Sequence, residues 1–347
     1  MPSVAGRPAS ATLRDVARLA EVHPGTVSRA LNPETRRLVN EDTARRVIEA
    51  AESLGYRPNP IARGLKTNRS YTVGVLVPDL TNPLFPPIVR GIQDRLEQAG
   101  YTPLIANTDN DRERERNDFE AMRARQVDGV ITATATLDHG VLDEMTGTGL
   151  PIVLVNRRLE DGGFSSAAAD DADGERLAVL HLAELGHTRI AHLGGPQELS
   201  TGRHRYEGFV AGMNEAGLAI DPALVHFGNA FTGPEGERLC EALLASGAAV
   251  TGLAAGNDLM ALGCYDALER RGLRCPDDVS VVGFNDMPFS DRFDPPLTTV
   301  AIPHYDIGAA AAELLLERML QPDEPARAIV LPPYLVVRKS SRALGDA

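Results

Sequence analysis

The chain has 347 residues, enough for roughly two or three domains, and 43% of them are hydrophobic, ample for cores of that size. Its 35 Lys+Arg against 48 Asp+Glu leave a formal charge of −13, a field that repels phosphate and, taken over the whole chain, favours an enzyme or small-ligand binder over a nucleic-acid partner. No apolar run reaches the ~18 residues of a membrane span and the N-terminus lacks an apolar signal core; Cys240, Cys264 and Cys275 form no CxxC pair and have no His at ligand spacing, so the reading is a cytoplasmic chain with reduced structural thiols and no metal.

The charge is uneven. Residues 1–70 hold twelve Lys+Arg against seven Asp+Glu, a balance of +5, and the remainder carries −18. That asymmetry suggests a basic nucleic-acid-binding head on an acidic body. Residues 1–11 are small and polar and read as a disordered tail. From Thr12, Leu13, Val16, Ala17 and Ala20 fall at i, i+3, i+4 and i+7 of a helix. Glu21 and Val22 break the period, and a second helix starts near Pro24 and buries Val27 and Leu31. Asn40 then caps a longer helix, Glu41 to Leu54, with Val47, Ile48 and Ala51 inward and Gly55 ending it. Two helices as short as the first pair need a third to pack on. The arrangement is a helix-turn-helix, whose second helix enters the DNA major groove. The head spans 12–57, followed by a hinge and linker at 58–70.

From residue 71 the texture changes. The run Thr72–Pro78 reads as a buried strand, followed by a helix near Pro83–Gly100, a strand at Thr102–Ala106, a charged helix around Arg112–Arg125, a strand at Gly129–Ala133, a helix near 139–147 and a strand at Pro151–Val155. The pattern then restarts: helix Gly174–Leu185, strand Arg189–Leu193, helices Arg203–Ala216 and Pro234–Ala245, strand Gly252–Ala255, helix Asp258–Arg271 and strand Val279–Phe284. Thr298–Ile302, a helix at Tyr305–Leu320 and a single strand at Ile329–Val337 cross back to complete both sheets. Continuous apolar strands alternating with helices predict parallel doubly wound sheets. The fold class is an all-α helix-turn-helix head plus an α/β core of two doubly wound parallel-sheet subdomains. The core is 71–340, with one subdomain at about 71–165 and 303–328 and the other at about 166–300 and 329–340.

Ligands of such sheets bind beyond the carboxyl ends of the strands. Asn82 and Phe85 follow the first strand, Arg157 follows Pro151–Val155, and Arg203 and Arg205 open the helix after Arg189–Leu193. Asn257 follows Gly252–Ala255, and Asn285 follows Val279–Phe284. The set has no nucleophile–base pair and no carboxylate dyad. It suits hydrogen bonds to hydroxyls, with Phe85 or Phe231 stacking on an apolar ring face. No GxGxxG follows the first strand and no GxxxxGK[ST] occurs, so no cofactor is expected.

At these residues the sequence resembles the lactose-repressor (LacI) family of bacterial regulators. The motifs are Thr26-Val-Ser-Arg29, Leu54-Gly-Tyr56-Arg-Pro-Asn59, Ala62-Arg-x-Leu65, Val77-Pro-x-x-x-Asn82-Pro-x-Phe85, Gly256-Asn-Asp-x-Met-Ala-Leu262, and Val281-Val-Gly-Phe284 followed by Pro296-Leu-Thr-Thr299. The likeness spans nearly everything after residue 11. It implies a core of the periplasmic binding protein type I kind, a homodimer, a palindromic double-stranded operator, and repression set by a small effector: a sugar, sugar phosphate or sugar acid. No membrane partner is implied, and the location is cytoplasmic, on the nucleoid.

The resemblance puts His23, Thr26, Ser28 and Arg29 at the major groove. Hydroxyls suit phosphate oxygens, and Arg reads guanine with two hydrogen bonds. His23-Pro24-Gly25 departs from the family, which places longer readers there, so base readout rests on Arg29 with His23. Asn59 and Pro60 can start a helix over Ile61–Leu65, too short to be stable alone. It should therefore fold on DNA; the resemblance has two such helices meet in the minor groove with Leu65 wedged between base pairs, Arg63 and Lys66 on flanking phosphates, and Asn59 and Ala62 among the DNA-binding residues. For the effector it implies Asn82, Phe85, Arg157, Arg205, Phe231, Asn257, Asn285 and His304. Asn285 stands where the family commonly has Asp. Asn donates as well as accepts, so the effector should present an acceptor there. The competing reading is a sugar-binding transport protein of the same core fold. It would need a signal peptide and no basic head.

Overall fold

The computed structural model describes residues 11–32, 35–57, 69–138, 140–160 and 162–345. It falls into two compact units that divide between Tyr71 and Thr72. In the first unit, α1 (Leu13–Leu19) opens with a capping box. Thr12 Oγ1 accepts from the Asp15 N–H at 3.3 Å, and Asp15 Oδ2 accepts from the Thr12 N–H at 3.0 Å. This closes two of the N-terminal donors a helix leaves unpaired. Glu21 sits at φ 54° in the turn. Helix α2 (Pro24–Leu31) is capped by His23, whose Nδ1 accepts from the Gly25 N–H at 3.1 Å, and Pro24 fills the first helical position. Asn40 caps α3 (Glu41–Ser53) through the Asp42 N–H at 3.0 Å. Val16, Ala17, Ala20, Val27, Ala30, Ala44, Val47, Ala50 and Ala51 form the shared core. Ile48 is only half-buried there and Ala50 takes the inward position. The hinge residues Asn59, Ala62, Arg63, Leu65 and Lys66 lie outside the described residues.

The second unit holds two six-stranded sheets. The first uses β1 (Thr72–Val77), β2 (Thr102–Asn107), β3 (Gly129–Thr132), β4 (Ile152–Val155), β5 (Ser165–Ala169) and β11 (Ala328–Leu331), in the order β11-β5-β4-β3-β1-β2. Its neighbours all pair in parallel. The second uses β6 (Ile190–Gly194), β7 (Val225–Phe227), β8 (Gly252–Ala255), β9 (Ser280–Asn285), β10 (Thr298–Ala301) and β12 (Tyr334–Val336), in the order β12-β10-β9-β8-β6-β7. Only its edge pair β10–β12 is antiparallel. Strands such as β3, β4 and β9 are buried at every position, as sheets covered on both faces require.

The covering helices are α4 (Phe85–Gln98), α5 (Arg112–Ala124), α6 (Leu142–Thr146) and α11 (His304–Leu320) on the first sheet. On the second are α7 (Asp171–Glu184), α8 (Ser200–Glu215), α9 (Gly233–Ala245) and α10 (Asp258–Arg270). Helices α4 and α11 touch backbone to backbone. A Cβ at Gly91 would lie 2.0 Å from the Tyr305 oxygen, and one at Gly308 2.0 Å from that of Ile88.

Three sequence expectations change. Strand β5 has the sequence SSAAA, without the branched and aromatic residues that mark a strand, and was not anticipated; nor was the short β7. The stretch expected as one strand over Ile329–Val337 is two, β11 and β12. Pro332 and Pro333, which cannot donate to a ladder, stand between them and send each to a different sheet. Because β5 and β11 both join the first sheet, the chain crosses between subdomains near Asp170 and at Pro332–Pro333, later than the expected 165 and 328. The third crossing lies between β10 and α11.

Candidate effector site

The strands of the two sheets end toward a cavity of about 330 Å³ between the subdomains, within the range of small-ligand sites. The turn after β1 supplies Asp79, Asn82 and Phe85. The ends of β2, β3 and β4 supply Thr108 and Asn110, Thr134 and Thr136, and Asn156 and Arg157. From the second subdomain come Glu198, Thr201 and Arg205, then Asn229 and Phe231 after β7, Asn257 after β8 and Asn285 at the end of β9. The expected residues Asn82, Phe85, Arg157, Arg205, Phe231, Asn257 and Asn285 are thus brought together. Arg203 is exposed on α8 and His304 is not among the lining residues. His304 instead opens α11, packed near Asp286. Burial drives its pKa down to about 4, and its Nε2 is buried with no partner among the described residues.

Arg205 anchors the second wall. Its Nε and Nη2 meet Asp171 Oδ1 at 2.9 and 2.8 Å, Nη1 donates to the Gly256 oxygen at 2.5 Å, and Nη2 donates to Asn285 Oδ1 at 3.2 Å. The guanidinium also lies 3.8 Å from the centroid of the Phe284 ring and 5.4 Å from that of Phe231, cation–π distances. Both side chains of the Arg205–Asp171 pair are 4% exposed. Burial raises the Asp171 carboxyl and Arg205 opposes the shift. Asn285 holds its position at φ 105°, a left-handed conformation Asn tolerates better than most residues. Asn257 caps α10 through the Met260 N–H at 2.8 Å and donates Nδ2 to the Phe231 oxygen at 3.2 Å, tying the aromatic loop to β8.

The first wall is more loosely held. Arg157 is fully buried and donates Nη1 to the Ala135 oxygen at 3.2 Å. Burial brings it down to about 10, against the opposing charges of Glu115 and Glu198. Glu115 accepts from Thr134 Oγ1, which in turn lies 2.7 Å from Thr132 Oγ1. Desolvation raises Glu115, while Thr134 and Arg157 pull it down. Arg112 at the rim is paired with Asp138 at 2.6 Å. Sequence reasoning missed Glu115, Thr134, Thr136, Asn156 and Glu198. The rule that ligands meet the strand ends could have found the Thr and Asn residues. Glu115 was hidden because Arg-Glu-Arg-Glu-Arg reads as a solvated helix face.

On the DNA side, Arg29 and His23 are exposed on α2 while Thr26 and Ser28 are half-buried. His23 is engaged in capping, and Arg29 donates Nε to the Gly25 oxygen at 3.2 Å.

A helix-turn-helix unit in one chain with a two-subdomain cleft defines a ligand-responsive DNA-binding transcriptional regulator. Residues 12–59 match the family described as bacterial regulatory proteins, lacI family, and residues 179–341 match a periplasmic binding protein-like domain. The ribose operon repressor of Halalkalibacterium halodurans is 34% identical over 333 residues, 95% of this chain and 97% of the relative. The repressor CytR of Escherichia coli is 34% identical over 96% of this chain and 97% of its own. Among solved structures, the lac repressor dimer bound to operator and the anti-inducer ONPF superposes with a TM-score of 0.84 at 28% identity, covering 96% of this chain and all of the other. A CelR–cellobiose complex does so at 0.73 and 31%, with the same coverage. The chain belongs to the LacI family.

Proposed function

We propose that this regulator binds a palindromic operator as a homodimer, acts there as a repressor in the cytoplasm, and changes its operator affinity when a neutral polyhydroxylated effector enters the cavity. The observation that carries the effector reading is the charge state of the cavity. Arg205 is countered by Asp171, Arg112 by Asp138, and Arg157 by Glu115 and Glu198. A phosphate or carboxylate would have to displace one of these acids. The reading therefore narrows from sugars, sugar phosphates and sugar acids to neutral sugars. Asn82, Asn110, Thr134, Thr136, Asn156, Thr201 and Asn229 offer both donors and acceptors, which hydroxyls need. Asn285 already accepts from Arg205, leaving its Nδ2 to donate to the ligand. Solved relatives bound to cellobiose and ribose support the class.

Closure of the two subdomains on the effector would change how the dimer presents its two heads, which couples effector and operator affinities. The relatives are transcriptional regulators, and no chemical turnover is assigned to the cavity. The test is a gel shift with promoter DNA, paired with a thermal-shift screen of neutral and anionic sugars. A sugar phosphate or sugar acid as the tightest ligand overturns the neutral reading; turnover of any bound compound overturns the non-catalytic one. On the DNA side, Arg29→Ala should cost about 1–3 kcal/mol on operator while weak, salt-sensitive binding to random DNA persists. Equal loss on both would remove Arg29 from base readout.

A further inference from the structure

Away from the cavity lining, the two subdomains meet again where the segment after β4 reaches α8. His204 Nε2 lies 3.3 Å from Glu160 Oε1. Glu207, one turn along α8, joins them: one ligand atom from each of Glu160, His204 and Glu207 lies within 4.8 Å of the others. The His204 side chain is 5% exposed and that of Glu160 is 62% exposed. Packing thus fixes the imidazole, while the carboxylates stand in solvent, from which an ion can enter.

We propose that Glu160, His204 and Glu207 form a divalent-cation site, with zinc the ion its donors suit, that clips the two subdomains together. A tetrahedral zinc with bonds of about 2.0–2.2 Å places neighbouring ligand atoms about 3.3 Å apart. The His204–Glu160 pair is already at that spacing. The exposed Glu207 needs only a change of rotamer, because residues i and i+3 share a helix face. One imidazole with two carboxylates favours zinc over calcium or magnesium, which take all-oxygen sets. A water would complete the coordination. The carboxylates offset the ion against Arg158 and Arg203, the cations beside them in sequence.

The placement links the site to the effector. Glu160 stands three residues after Arg157, and His204 directly precedes Arg205. An ion held here fixes the separation of the segments that carry both cavity arginines. The sequence concealed the set because Glu160 and His204 are 44 residues apart and meet only when the subdomains do.

The test uses the full chain, stripped with a chelator and titrated calorimetrically with zinc chloride, with magnesium chloride as control. The expected result is one zinc per chain in the micromolar range or tighter, no magnesium heat, and a loss of about tenfold or more in Glu160→Gln and in Glu207→Gln. Both positions are exposed, so each variant should melt like the wild type without zinc. Hydrogen exchange supplies the second readout: zinc should slow both the β4–β5 connection and α8 in the wild type. Absence of stoichiometric zinc binding, or binding that both Gln variants retain unchanged, overturns the site. Protection confined to α8 overturns the clip.

Discussion

The two walls of the cavity use the same residue type and hold it differently. Arg205 in the second subdomain is met by Asp171, the Gly256 oxygen and Asn285 Oδ1, and stacked near Phe284. Among the described residues, Arg157 in the first has one carbonyl bond and two carboxylates that act on it through their fields. A fully satisfied guanidinium is a fixed platform. One held by a single neutral acceptor keeps donors that a ligand can take up. The second wall is therefore organised before the effector arrives, and the first wall is where new bonds favour the closed state.

The largest expected effect follows from removing the platform. Arg205→Ala leaves the buried Asp171 carboxylate without its guanidinium, a change that costs about 3–5 kcal/mol for pairs of this kind. Chemical denaturation should show that loss, and the effector should no longer shift operator binding. Arg205→Ala combined with Asp171→Asn should recover much of the stability but not the response. A single variant as stable as the wild type would show that the platform is not what the pair provides.

His304 opens α11 of the first subdomain and faces Asp286 of the second, so it tests how dry the junction behind the two walls is. Its pKa is depressed to about 4 by burial, from an ordinary value of 6.5. Neutral imidazole is favoured in the fold, so the contribution is complete above pH 6.5 and is lost as pH falls toward 4. That amounts to up to about 3 kcal/mol by the usual conversion. Wild type should lose stability faster than His304→Gln over that window, and the two should follow parallel curves above it. Parallel curves throughout would mean that His304 titrates in solvent, as a ligand-facing residue could.

Arg157→Met asks the same question of the first wall. Its carbonyl bond and long-range partners predict a loss of about 2 kcal/mol, the size of one charged hydrogen bond and less than Arg205→Ala. Glu115 should then ionise at higher pH, because the guanidinium opposing its desolvation is gone. A loss equal to that of Arg205→Ala would erase the difference between the walls.

The sequence was most legible where pattern and chemistry coincide. Runs such as Val-Gly-Val-Leu-Val in β1 announce a doubly covered strand, and Asn257 and Asn285 announce themselves by following one. It was least legible where a residue's role depends on partners distant in the chain. Ser165–Ala169 is a strand because β4 and β11 flank it, although its own side chains carry no such preference. His304 was offered as a ligand by the family resemblance, but it opens α11 half-buried beside Asp286 and does not line the cavity. The hinge residues around Leu65 remain a proposal from resemblance alone.

Asn285→Asp gives the smallest effect and the finest test of the platform. Asp keeps the acceptor that meets Arg205 and tolerates the same left-handed backbone, so stability should change little. What it removes is the Nδ2 donor, and it adds a charge to a cavity whose cations are already countered. If the effector presents an acceptor at this point, affinity should fall about tenfold, roughly 1.4 kcal/mol, measured by titration calorimetry with the sugar that the thermal-shift screen identifies. If it presents a hydroxyl proton, the carboxylate will bind it more tightly. The direction of that change reports which end of a hydrogen bond the ligand offers, and an unchanged affinity would place Asn285 in service to Arg205 alone.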